Sequence, residues 1–192
     1  GGSIGGRSTM PGNAPYRGHK GMHLMGGIKV PLFFYWPGGI KKPERNTQLV
    51  SALDILPTVL DAAGIQPPSS IDGKSLLPYL ENKSVKPVHD HLTWSGIHGR
   101  TWGFMRQNNN FKEVPSRDQA PYAWVVVKDN YALRFISETA QGIYKDLPKG
   151  LPAFYEMYNI NDDPGEQKNL IDEEPEIFNE LKLIWENEAK LY

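Results

Sequence analysis

Residues 13–23 bring two cations and two imidazoles into one Gly-rich stretch: Arg17, His19 and Lys20 in Asn13-Ala14-Pro15-Tyr16-Arg17-Gly18-His19-Lys20, then His23. Gly26-Gly27-Ile28-Lys29-Val30-Pro31 follows, at the entry to an apolar run. Cationic side chains on a Gly-rich loop beside a core element are the ingredients of an anion site. On composition alone, solvated loop charges remain the simpler reading of Arg17 and Lys20, and a lone loop histidine such as His23 is more often exposed than functional.

A second polar and aromatic group, His91, His98, Arg100 and Trp102, comes after the polar linker 81–87. Arg and Trp together can line a sugar or aryl pocket by hydrogen bonding and stacking, although Trp94 and Trp102 are large enough to be core. The remaining acidic candidates have local explanations. Asp54 stands where a helix N-cap belongs, and Asp163, Glu166 and Asn169 read as turn and helix-entry residues.

These groups need a frame, and the chain alternates its signals in a way that supplies one. Residues 1–21 are Gly-rich and polar, with turn chemistry at Pro11-Gly12-Asn13. The run from Ile28 to Trp36 has no polar alternation and reads as an interior strand of a parallel sheet. Leu53, Leu56, Val59, Leu60 and Ala63 recur at helical spacing before Gly64, so Leu49 to Gly64 contains a helix capped by Asp54 or Ser51, with Pro57 in its first turn. A short helix or turn is expected near Leu76 to Leu80.

Past the linker the pattern changes to strands at His91 to Trp94, Gly103 to Arg106, Ala123 to Val127, Tyr131 to Ile136 and Phe154 to Tyr158. The turn Lys128-Asp129-Asn130 makes a hairpin of the third and fourth. From Pro175 to about Lys190 one stripe carries Ile177, Phe178, Leu181, Ile184 and Trp185, a helix that should pack on the sheet. Strand followed by helix, then an antiparallel sheet with a closing helix, predicts an α/β chain in two parts, 1–87 and 88–192.

Bulk properties narrow the function classes. With 192 residues and 39% hydrophobic content the chain can build a core. Net charge −1, from 21 basic and 22 acidic residues, gives no general attraction to nucleic acid or anionic lipid. No apolar run is long enough to span a membrane. The absence of cysteine excludes disulfides, thiolate metal sites and a cysteine nucleophile within this sequence. The start Gly1-Gly2-Ser3 has neither a Met nor signal-peptide character, and the expectation is a chain that begins mid-protein.

Taken together, four motifs resemble the sulfatase family, part of the alkaline phosphatase-like superfamily. The run PYRGHKGMHLMGGIKVPLFFYWPG is similar to a pattern in which R-G-x-K leads to a Gly-Gly turn, a Val-Pro strand start and Trp-Pro-Gly. Val50 to Thr58 with Ala63-Gly64, Asp72 to Pro78, and Tyr158-Asn159-Ile160 with Asp163-Pro164-Gly165-Glu166 and Asn169-Leu170 agree in the same order. Met25 and Lys29 depart from it, standing where members often have Glu and Arg.

The resemblance implies the C-terminal part of an alkaline phosphatase-like α/β sandwich with a small antiparallel subdomain. It implies hydrolysis of sulfate esters, on a sulfated glycan or an aryl or alkyl sulfate, with Lys20 contacting the sulfate. His23, His98, Arg100 and Trp102 are expected substrate contacts, while Arg17 is expected to tie the loop to carboxylates or carbonyls. Family members use a formylglycine made within C/S-x-P-x-R and a divalent cation, usually calcium. That motif does not occur here, so both are expected from an upstream, missing N-terminal part, with Asp-Asn or Asp-His before Gly1 and no metal held by this segment alone.

A phosphodiesterase or phosphonate monoester hydrolase of the same superfamily is the alternative, and a non-catalytic binding or oligomerisation module is another. Without its other half, the strand at Pro31 to Trp36 should be exposed. The family habit points to a periplasmic or extracytoplasmic location.

Overall fold

The structure is a computed structural model that describes residues 12–18, 22–40, 45–84, 86–96, 123–137 and 152–191. The chain forms two compact units, Gly1–Val30 with Thr93–Tyr192, and Pro31–Leu92. The first 30 residues thus group with the C-terminal sheet, and position 87 lies inside the second unit.

In the first unit, strands β1 (His91–Gly96, entering from the second unit), β2 (Ala123–Lys128), β3 (Tyr131–Ile136) and β4 (Phe154–Asn159) form a sheet in the order β1-β2-β3-β4. β2 pairs antiparallel with β3, and β3 with β4. The hairpin turns at Asp129-Asn130, where Asp129 takes φ 51, a conformation that Asp and Asn tolerate better than most residues. The predicted strand at Gly103 to Arg106 lies outside the described residues.

Register explains why the apolar run Ala123 to Val127 is buried throughout. Trp124, Val126, Leu133 and Met157 share the face that packs on helix α4 (Pro175–Glu188), meeting Leu181 and Ile177, Phe178, Ile184 and Trp185 around it. The Trp124 and Trp185 rings stack with centroids 4.7 Å apart. The opposite face carries Ala123 and Ile136, which pack with Phe154 against Met22 and Leu24. Among the described residues, the sheet is therefore covered on one side by the helix and on the other by Met22 and Leu24.

A single helical turn, α1 (Met25–Ile28), stands where the predicted strand was to begin, and residues 29–36 form no strand. This corrects the sequence reading. An interior strand exists only between ladder partners, and none lies beside this segment among the described residues. Its side chains are open to solvent, Phe33 at 88% and Tyr35 at 92%.

The second unit is built on helix α2 (Ile55–Ala62), entered by a 3-10 turn at Ala52–Asp54. Ser51 caps that turn in a capping box with Asp54, Pro57 sits in the first turn of α2, and Gly64 ends the helix at φ 71. Helix α3 (Leu77–Leu80) follows as expected. What the period does not foretell is the direction α2 faces. Asp54, Pro57 and Thr58 are buried, while Leu53, Leu56 and Val59 lie outward.

Candidate functional site

Turn chemistry begins the site. Tyr16 N–H donates to the Asn13 carbonyl at 2.8 Å, and Asn13 Nδ2 donates to the Gly18 carbonyl at 2.8 Å. Gly18 takes φ +85, and a Cβ there would collide with Leu24, so only glycine fits both its conformation and its space. Gly26 N–H donates to the Arg17 carbonyl at 2.7 Å, closing the segment 17–26 at its base. A Cβ on Gly26 would strike the Arg17 and Gly18 carbonyls, which accounts for the first residue of the Gly-Gly pair. Lys29 Nζ lies 4.7 Å from the Tyr16 ring centroid, a cation–π contact that brackets the other flank.

Lys20 falls between these anchors and lies outside the described residues. His98, Arg100 and Trp102 also lie outside them. His23 is described and half-buried, on the segment between the two closing glycines. His91 opens β1, with Nδ1 3.1 Å from Asp90 Oδ2 at the surface.

Arg17 plays the tying role expected of it. Its Nη1 donates to the Glu166 carbonyl at 3.2 Å, and its side chain also hydrogen-bonds Tyr158. The first and last family motifs, far apart in sequence, meet here. Tyr158 and Glu156 lie on the sheet face opposite α4, with Arg134 paired across to Glu156 in register and by a salt bridge. Burial, more than the nearby Glu156 charge, raises the Tyr158 hydroxyl above its ordinary 10.0, against the pull of Arg134 and Arg17.

Glu166 is the residue that sequence reasoning missed. Its sequence setting is that of a turn residue, yet it is only 2% exposed, and its Oε2 accepts the Met25 N–H at 3.0 Å. Its Oε1 is 3.7 Å from Arg134 Nη1. Burial raises its carboxyl above the ordinary 4.5, while Arg134, the Met25 N–H and Arg17 pull it down. Met25, a departure from the family pattern, thus receives a carboxylate at its backbone from a distant residue. Asp163 does what was expected, accepting the Gln167 and Lys168 N–H groups, while Asn169 accepts the Ile171 N–H locally and also the Met157 N–H of β4, which ties the turn to the sheet.

In the second unit Asp54 is more than a cap. Its carboxylate accepts the Ser51 N–H at 2.7 Å and the Lys74 N–H at 2.8 Å, and His89 Nε2 approaches its two oxygens at 2.9 and 3.0 Å. Facing a carboxylate, that nitrogen is the donor. Thr58 adds a second link, donating to the Asp54 carbonyl and accepting the Leu76 N–H. A Cβ on Gly73 would overlap the Leu53 carbonyl. Asp54's oxygens are thus committed to protein donors, and among the described residues no group of three His, Asp or Glu side chains could hold a metal ion. The described residues do not fit a catalytic cation.

Residues 19–189 match the family model for the C-terminal part of N-sulphoglucosamine sulphohydrolase. The chain belongs to the sulfatase family. It is 31% identical over 153 residues to an uncharacterized sulfatase, YdeN, of Escherichia coli, and 28% identical over 154 residues to an ulvan-active sulfatase of Formosa agariphila. These matches cover 71% and 75% of this chain but 27% and 29% of the relatives, so the sulfatase chain spans under a third of their length.

A Bacteroides thetaiotaomicron structure described under the metabolism of multiple glycosaminoglycans superposes with TM-score 0.62 at 20% identity, covering 91% of this chain and 32% of that one. A second structure from that organism, a candidate sulfatase, gives TM-score 0.53 at 22% identity over 79% of this chain and 28% of that one. These likenesses show that the chain shares its fold with part of those structures, an α/β chain with a four-stranded antiparallel sheet and a closing helix. No helix among the described residues is long and apolar enough to cross a membrane.

Proposed function

We propose that the complete protein hydrolyses sulfate esters, and that this chain supplies the sulfate-contacting lysine, Lys20, and a wall of the substrate cleft. The observation that carries the reading is the closed base of the R-G-x-K segment, where Gly26 bonds Arg17, and Arg17 and Met25 both bond the C-terminal Glu166, within a chain whose family match runs from residue 19 to 189. A lysine held on such a base is cationic at neutral pH and can offset charge that develops on a sulfate oxygen as the S–O bond breaks.

A formylglycine nucleophile and a divalent cation, calcium or another, belong to the rest of the protein in this reading. The outward stripe of α2 supports the existence of such a covering part. Leu56 and Val59 of α2, with Leu53 of the preceding 3-10 turn, are 55%, 57% and 62% exposed, and burying what remains open of each is worth about 1–2 kcal/mol. A sulfated carbohydrate is the favoured substrate class, since the matching family model is named for N-sulphoglucosamine and one relative for activity on ulvan. His23, His98, Arg100 and Trp102 are its proposed contacts, and the setting is extracytoplasmic.

The test compares the complete protein with its Lys20→Ala variant on an aryl sulfate and the matching aryl phosphate. Turnover of the sulfate should exceed that of the phosphate and fall by about two orders of magnitude in the variant. Near wild-type kinetics would remove Lys20 from the site, and faster phosphate turnover would reassign the ester.

A further inference from the structure

Three non-glycine residues among those described have positive φ: Asn82, Asp129 and Glu166. Asp129 sits in a hairpin turn and Asn82 just beyond helix α3, both turn formers in turns. Glu166, at φ 51, is different. A long carboxylate there gains nothing from the turn, where glycine or asparagine would be easier, and it is buried rather than pointed at water.

The position is explained by what the residue reaches. Its carbonyl accepts Arg17 Nη1 and its carboxylate accepts the Met25 N–H, so one residue grips both ends of the segment closed by the Arg17–Gly26 hydrogen bond. Arg134 faces it from the sheet side, and Tyr158 reaches its partner Arg17. Arg134 Nη1 lies 3.7 Å from Oε1, and Arg17 bonds Tyr158 as well. Two guanidinium groups and two carboxylates, Arg17, Arg134, Glu156 and Glu166, form a charge-balanced cluster between the loop and the sheet.

We propose that Glu166 is a positioning residue for sulfate ester hydrolysis, holding through Met25 and Arg17 the two ends of the segment that contains Lys20. This rests on the reading of Lys20 given above. The buried carboxyl is matched by the Met25 N–H and by the neighbouring Arg134 guanidinium, as a buried charge must be if it is not to cost stability. A misplacement of about 1 Å in a contact group can cost on the order of a hundredfold in rate.

The experiment is a double-mutant cycle in the complete protein, with kcat and KM on an aryl sulfate and amide exchange at Met25. Glu166→Gly suits the backbone at this φ and removes the side chain. It should lower kcat about tenfold or more with KM changed less than about threefold, and speed exchange at the Met25 amide. Glu166→Gln, still an acceptor for that N–H, should recover most of the loss.

Combined with Lys20→Ala, Glu166→Gly should add little, because there is no longer a lysine to misplace. If Glu166→Gly lowers the melting temperature while kcat stays unchanged, or if the two losses multiply while Lys20→Ala alone is slow, the positioning role is overturned. Wild-type kinetics for Lys20→Ala would instead defeat the underlying reading, and this inference with it. Should Glu166→Gly fail to fold, Arg17→Met, which loses the bond to the Glu166 carbonyl, enters the same cycle under the same criteria.

Discussion

Replacing Asp54 by alanine tests whether that carboxylate is a structural hub. The side chain is 0% exposed and accepts from three donors, the Ser51 and Lys74 N–H groups and His89 Nε2. Alanine leaves all three without their acceptor. All three donors are partly buried, in the join between α2, residues 73–76 and residues 88–89, so each can recover part of its bond from water. A fully buried donor left unsatisfied costs about 1–3 kcal/mol, so these partly buried ones together predict a loss of about 2–4 kcal/mol.

Equilibrium urea unfolding of the complete protein measures this as a lower midpoint at unchanged slope. Asp54→Asn should fall between, because its amide oxygen serves one donor while its NH2 group faces another. A cost under about 1 kcal/mol would refute the reasoning. So would full stability with a large fall in kcat, which would move Asp54 from the frame to the chemistry.

Two further outcomes follow from the loop. Gly26→Ala puts a methyl group against the Arg17 and Gly18 carbonyls and must break the 2.7 Å Arg17–Gly26 bond. Overpacking and the lost hydrogen bond predict about 2–4 kcal/mol of destabilisation by the same urea assay, and a change within about 0.5 kcal/mol would show that the base is not closed as described. For Glu166, whose carboxyl is raised above 4.5 mainly by burial, the folded state holds the proton more tightly than the unfolded chain. Its contribution to stability is therefore full below the ordinary value and lost as pH rises through the folded one. Thermal unfolding of wild type relative to Glu166→Gln across this range should show the wild type losing ground as pH increases, and parallel curves would exclude the shift.

Local chemistry made much of this legible. The strands β2, β3 and β4 and the terminal helix follow from apolar period and from Asp129-Asn130, because each signal lies within the element it specifies. Ser51, Pro57 and Gly64 mark the ends of α2 for the same reason. Glu166 was hidden because its partners, Met25 and Arg17, are 141 and 149 residues away. One signal was present: a glutamate directly after Pro164-Gly165, at a place where a second glycine or an asparagine would serve the turn better. Asp54 was half legible, since its cap is local and its bonds to Lys74 and His89 span 20 and 35 residues.

The two failures of patterning concern residues 31–36 and the face of α2, and they have one cause. Periodicity reports which side chains need an apolar partner, without saying where that partner is. Here the inward side of α2 is held by Asp54 and by Thr58, bonded to the segment that precedes α3. Hydrogen bonds can lock that side without a large apolar area, which leaves the leucine and valine stripe free to face outward. Phe33 and Tyr35 are open in the same way, on a segment that makes no ladder of its own. Helix and strand signals that remain unburied within the chain, in a sequence spanning under a third of its relatives, are what a piece of a larger sheet-and-helix layer should show.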